Sequence, residues 1–198
     1  MLQAIWRVIS EIPMSSTKTL TSERNPIPSS GYRITAGKNT GKSSLCCSAL
    51  IFSLTHSSPG SLGAPSYSLI SRFYEDLAPL LDDEFDHIYS LTYHTILDHT
   101  NVDTAPFRES IWYYVHRING ILHEDYDYRD VNTFLNRTLK LYVKNLCFNP
   151  TEITVSEFLN IGIELKPEEK VHVALLAACA EKQAMLLYGL HAIMQFMT

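Results

Sequence analysis

From Ser68 to the end of the chain, apolar residues return every three or four positions, and no stretch of any length alternates apolar with polar. A three-to-four spacing lines one face of an α-helix; a strand face needs a period of two. The chain from residue 67 onward is therefore read as all-α. Leu69, Phe73, Leu77, Leu80 and Leu81 mark a first helical segment, kinked or divided at Pro79. Phe85, Ile88, Tyr89, Thr92, Ile96 and Leu97 mark a second, led by Asp82, Asp83 and Glu84, where the helix dipole favours negative charge. Asp103 or Thr104 caps a third, with Pro106 in its first turn and Gly120 near its end. A fourth runs from Asp130 through Leu146 to the stop at Asn149–Pro150. Residues 152–163 give a weaker fifth, and Pro167 opens a long last helix.

The upstream third is built differently. Residues 1–66 carry six basic and two acidic side chains, whereas 67–198 carry ten basic and nineteen acidic. Fourteen serines lie in the first stretch and five in the second. Such a seam in composition marks a domain boundary. Residues 1–66 are expected to be a mostly disordered tail or linker, with short local elements at Gln3–Ile9 and Ser48–Leu54. Residues 67–198 are expected to form one helical domain.

The net charge of −5 argues against nucleic acid as a partner, which calls for a concentrated basic surface. No membrane insertion is expected. Leu45–Leu54 is far shorter than the roughly 20 apolar residues that cross a bilayer, and Glu181 and Lys182 interrupt the apolar C-terminal stretch. The N-terminus has no basic region before an apolar core. A soluble, intracellular protein is expected. The four cysteines agree: Cys46 and Cys47 are adjacent, Cys147 and Cys179 stand alone, and there is no C-x-x-C. They are read as thiols acting as small hydrophobes.

Several chemical motifs are incomplete. Ala36-x4-Gly41-Lys42-Ser43 fits a loose phosphate loop, but turn-forming residues precede it and Ala stands where Gly is wanted. A calcium loop begun at Asp125 would have Asp130 in place of Gly and Asn136 in place of Glu. Glu169 and His172 have the spacing of half a di-iron site with no second half. No metal and no cofactor are expected. The run HEDYDYRD, with Glu124, Asp125, Asp127 and Asp130, is either a solvated loop capping a helix or an acidic recognition patch. One constellation stands apart. Thr92 and Thr95 share one helix face in this reading, and Thr104, Phe107 and Arg108 share the next. With Glu169 they would offer a cation and an anion, as an amino acid zwitterion requires. The same residue types also cap and decorate helices.

Seven segments resemble the C-terminal domain of sestrins: YSLTYHTI (89–96), VDT (102–104), IWYYVH (111–116), HEDYDYRDVN (123–132), LKLYVK (139–144), EKVHVALL (169–176) and LLYGLHAIMQFMT (186–198). They keep their order over about two thirds of the chain. The resemblance implies a helical bundle akin to the alkylhydroperoxidase-like fold. It implies a stress-response regulator, cytoplasmic with the nucleus as a second location, that restrains TOR kinase signalling by binding the GATOR complex; some members sense leucine. It places a leucine-type pocket on Thr92, Tyr93, Thr95, Thr104, Phe107, Arg108 and Glu169, with Arg108 for the carboxylate and Glu169 for the amine. Phe107 stands where the family has Leu, and Gly162 and Leu165 stand where it has Trp and Phe. Leucine binding weaker than in leucine-sensing relatives is therefore expected. Partner contact falls on Glu124 and Asp125. The redox cysteine domain of sestrins has no counterpart here, so no enzymatic activity is expected. The alternative is an alkylhydroperoxidase-like oxidoreductase acting in the response to reactive oxygen species.

Overall fold

A computed structural model describes residues 52–53 and 59–197. The described part is all-α apart from four two-residue strand pieces, two in a hairpin and two in one short parallel pairing. Phe52–Ser53 (β1) pairs in parallel with Ile121–Leu122, here β4. The Ala36–Ser43 motif, Cys46, Cys47 and the Gln3–Ile9 run lie outside the described residues, and Phe52–Ser53 is the only described piece of the Ser48–Leu54 run.

Helix α1, Ala64–Phe73, starts with Pro65 in its first turn, and α2 is Leu77–Tyr89. The division between them falls at Tyr74, whose backbone is extended, and not at Pro79. Pro79 sits in the first turn of α2, where a missing N–H leaves no helical bond unmade. Asp82, Asp83 and Glu84 therefore lie inside α2 rather than leading a helix. Asp82 accepts a hydrogen bond from the Leu62 backbone N–H at 2.8 Å, and Glu84 pairs with Lys182 at 2.6 Å.

The second expected helix stops eight residues early. After Tyr89 the chain turns, and Thr95–Ile96 (β2) pairs antiparallel with His99–Thr100 (β3). Thr92, Thr95 and Ile96 are β-branched and suit extended backbone better than helix. Leu97, in the two-residue hairpin turn, has φ 52°, which no α-helix accommodates. Thr92 thus projects from the turn after α2 and Thr95 from the hairpin, and neither from a helix face.

Helix α3, Ala105–Ile118, carries Trp112 at the centre of the core. The indole is fully buried, edge-on to Phe85 and Tyr89, and its Nε1–H donates to Gln183 Oε1 at 2.6 Å. The fourth expected helix is two: α4, Arg129–Phe134, and α5, Arg137–Phe148. Leu135 is extended, and Asn136 restarts the helix by accepting from the Leu139 N–H at 2.8 Å. The fifth is shorter than expected, Val155–Leu159 (α6), begun by a reciprocal Thr154–Glu157 cap. Gly162 follows at φ 84°, and a Cβ there would lie 2.7 Å from Thr138 Cβ.

The last helix, α7, runs from Pro167 to Met197. It buries Glu169, His172, Val173, Leu176, Ala180, Gln183, Ala184 and Leu187, one stripe packed chiefly on α3 and α5. By length and composition α7 could cross a membrane, but 61% of its apolar 18-residue window is buried inside the bundle, as in a core helix.

Candidate functional site: a cleft around Arg108

The end of α2, the hairpin, and the first turns of α3 and α7 meet around a small cleft of about 10 Å³, room for about one water as it stands. Thr92, Thr95, Ile96, Thr104, Phe107, Arg108, Leu165, Glu169, His172, Val173 and Leu176 line it. Six of the seven side chains expected from the sequence therefore share one cleft, although Thr92 reaches it from a turn and Thr95 from the hairpin. The seventh, Tyr93, lies at the rim, half exposed, its ring centroid 5.0 Å from the Arg108 guanidinium.

Arg108 is 1% exposed. Its Nη1–H donates to the Tyr89 carbonyl at 2.7 Å and its Nε–H to Thr104 Oγ1 at 3.1 Å. The guanidinium lies 4.2 Å over the Tyr89 ring. Its Nη2 is buried without a hydrogen-bond partner, and among the described residues no carboxylate pairs with it. A buried cation with an idle N–H is costly by itself and leaves the cleft able to take an anionic oxygen.

Thr104 caps nothing with its side chain. Its hydroxyl donates to the carbonyls of Thr92 and Tyr93, at 2.8 and 2.9 Å, pinning the chain between α2 and the hairpin, while its oxygen accepts from Arg108. Asp103 does the local turn work, accepting from the Ala105 N–H at 2.9 Å. Glu169 is 6% exposed and bridges two segments: one oxygen accepts from the Leu97 N–H at 2.6 Å, the other from the Lys166 N–H at 2.8 Å. The second bond caps the start of α7, where the dipole favours a carboxylate. Each oxygen keeps a lone pair for a further donor.

His172 was visible in the sequence only as half of a metal motif. It stands one turn beyond Glu169 on the same face of α7. Its Nε2 lies 2.6 Å from the Ile88 carbonyl, which can only accept, so Nε2 carries the proton. Nδ1 then accepts from the Thr92 hydroxyl at 2.6 Å. Burial, with Arg108 nearby, holds the imidazole below its ordinary pKa. Both ring nitrogens are thus occupied. Among the described residues no group of three or more His, Cys, Asp or Glu could hold a metal. The other lining residues that residue types alone missed are Ile96, Val173 and Leu176. The 169, 172, 173, 176 spacing on α7 was the signal for Val173 and Leu176.

Glu124 and Asp125 are elsewhere, in an exposed turn between β4 and α4. Neither forms an ion pair among the described residues, whereas Asp127 is taken by Arg129, which holds its carboxyl down at about 2. The turn rests on buried rings. His123 packs on His116 with Nε2 and Nδ1 2.8 Å apart, and Tyr126 packs on Tyr113 with its hydroxyl 3.1 Å from Ser110 Oγ. Burial raises the Cys179 thiol to about 11 and pushes the Cys147 thiol further up, with Glu181 adding to the shift. Neither is a ready thiolate at neutral pH.

The cleft and the acidic turn both fall inside a stretch, residues 63–197, that matches the family model described as PA26 p53-induced protein (sestrin). The chain belongs to the sestrin family. It is 48% identical over 130 residues to a sestrin homolog of Dictyostelium discoideum, covering 66% of this chain and 22% of that protein. It is 46% identical over 132 residues to a sestrin homolog of Drosophila melanogaster (67% and 27%) and 46% to Sestrin-2 of Homo sapiens (67% and 28%). The chain thus spans about a quarter of the length of these sestrins.

Proposed function

We propose that the protein is a non-enzymatic sestrin-type regulator of the stress response. It restrains TOR kinase signalling by docking a GATOR-type complex through Glu124 and Asp125, and its cleft takes a free amino acid of the leucine class. The reading places it in the cytoplasm and the nucleus, with no role in nucleic-acid binding or membrane insertion. One observation carries the ligand half: a guanidinium 1% exposed, with an idle Nη2, shares a cleft with a buried carboxylate. Arg108 would take the ligand carboxylate and Glu169 its ammonium, each through a charge-assisted hydrogen bond. Phe107, Leu165, Val173 and Leu176 supply the apolar wall.

Binding is expected to be weaker than in leucine-sensing sestrins, because Gly162 stands where the family has Trp. Titration calorimetry with leucine, isoleucine and methionine tests this, with Glu169→Ala as control. Tight leucine binding that survives Glu169→Ala would remove this cleft from the account. Reversal of Glu124 and Asp125 to Lys should abolish co-precipitation of the complex at unchanged melting temperature; retained binding would refute the docking site. The oxidoreductase reading requires a reactive thiolate, and among the described residues the raised Cys147 and Cys179 thiols do not supply one. A peroxide-consumption assay decides against the regulator if turnover appears.

A further inference from the structure

The last four turns of α7 carry no charged side chain from Gln183 to Met197. At 100° per residue, Met185, Gly189, Ala192 and Phe196 fall within an arc of about 60°. All four are exposed, Met185 by 50% and Phe196 by 94%, and a Cβ on Gly189 would meet nothing. Ile193 and Met197, 47% and 45% exposed, widen the stripe on one side. Leu187, Leu190 and Met194 lie on the opposite, inward side, Leu187 in a small core with Ile121 and Ala184.

We infer that this outer stripe of α7 is a self-association surface that takes the same stripe of a second copy, antiparallel, about a two-fold axis between residues 190 and 191. The sizes fit their own reverse. Residue i then faces residue 381 minus i, so Met185 meets Phe196 of the second copy, and Gly189 meets Ala192. The two small residues let the helices approach at the centre, and at each end a thioether meets an aromatic ring, a favourable contact. A two-fold contact sets a surface against itself, so any charge on it meets a like charge. In a chain of net charge −5 this stripe carries none. Other occupants fit less well. A charged protein partner finds nothing here to complement, and a helix lying on a membrane draws on Lys and Arg along its polar face. Lys182, just before the stripe, is paired with Glu84.

A full aromatic side chain buries ~150–250 Å². With the half-exposed Met185, Ile193 and Met197, the stripe offers roughly 500 Å² per copy, at the small end of specific interfaces. The dimer is therefore expected to be concentration-dependent. Sedimentation velocity of the full chain over a hundredfold range in the micromolar regime should show the average mass rising toward two copies. Phe196→Glu should weaken dimerisation at least tenfold with unchanged circular dichroism and melting, since that ring is almost fully exposed. The double variant Met185→Cys/Phe196→Cys should form a disulfide-linked dimer on oxidation that the single Met185→Cys variant and the wild type do not form. A wild type that is monomeric throughout, or a dimer indifferent to Phe196→Glu, would overturn the inference. So would co-sedimentation of the wild type with anionic vesicles that Phe196→Glu abolishes.

Discussion

Replacing Arg108 with Met separates what the cleft does for the fold from what it does for a ligand. Met has nearly the reach of the Arg stem and none of its charge. In the free protein the substitution deletes the bonds to Tyr89 O and Thr104 Oγ1, worth about 1.5–3 kcal/mol each for a charged donor. It also deletes the cation–ring contact with Tyr89, roughly 0.5–2 kcal/mol, and leaves the Tyr89 carbonyl short of a partner. Against this it removes a guanidinium that is 1% exposed, faces no carboxylate and keeps an idle Nη2. The desolvation cost of such a charge is several kcal/mol, and the unmet donor adds about 1–3 kcal/mol. The opposing sums are close, so urea denaturation should place Arg108→Met within about 1 kcal/mol of wild type. Ligand binding has no such compensation, because the carboxylate would enter a buried site with no cation. A loss of about 3 kcal/mol, on the order of 100-fold in Kd, is expected by calorimetry. A variant that loses more than about 3 kcal/mol of stability would show that Arg108 is chiefly a brace. A variant that binds amino acids as before would remove the guanidinium from the site.

Gly162→Ala should destabilise the protein by about 1–3 kcal/mol in chemical denaturation, because φ is 84° and the new methyl would meet Thr138 Cβ at 2.7 Å. Thr154→Ala should cost about 1 kcal/mol by deleting one half of the α6 cap, and Thr154→Ser should restore it. Acid should weaken the fold in a defined window. Burial, and then the neighbouring His123, hold His116 at about 3 against an ordinary 6.5, so the folded state binds the proton less well than the unfolded chain. The His116 contribution is whole above pH 6.5 and falls by about 1.4 kcal/mol per pH unit below it. His116→Gln should flatten the slope of stability against pH between 6.5 and 5; an unchanged slope would assign it to other groups.

The period of three to four was enough to find the helical domain, because it reports which residues must share a buried face. It could not locate two breaks inside that pattern. Leu135 and Asn136 interrupt a run whose apolar spacing continues unbroken, since α4 and α5 both bury residues in the same core. The hairpin at Thr95–Thr100 was hidden for the opposite reason. Ile96 and Leu97 continue the helical spacing from Ile88 and Tyr89, but Thr104, twelve residues downstream, holds the Thr92 carbonyl. The membership of the cleft was legible because Thr104 and Arg108 are a helical turn apart and Glu169 opens a helix. The role of Glu169 as a clasp on Leu97 was not, because it depends on a backbone N–H 72 residues away. His172 was overlooked for a similar reason: its partners, Thr92 and Ile88, come from a distant segment.

The position of Trp112 has a consequence for observation. The chain has two tryptophans, and Trp6 lies outside the described residues. Trp112 meets Tyr89 edge-on at 6.0 Å, and the same Tyr89 ring lies 4.2 Å from the Arg108 guanidinium. A single aromatic ring therefore links the indole to the charge that a ligand carboxylate would neutralise. Indole emission responds to the electric field along the ring. In a Trp6→Phe background, the intrinsic fluorescence of the protein is thus a built-in optical reporter of whether Arg108 is engaged, with no label attached.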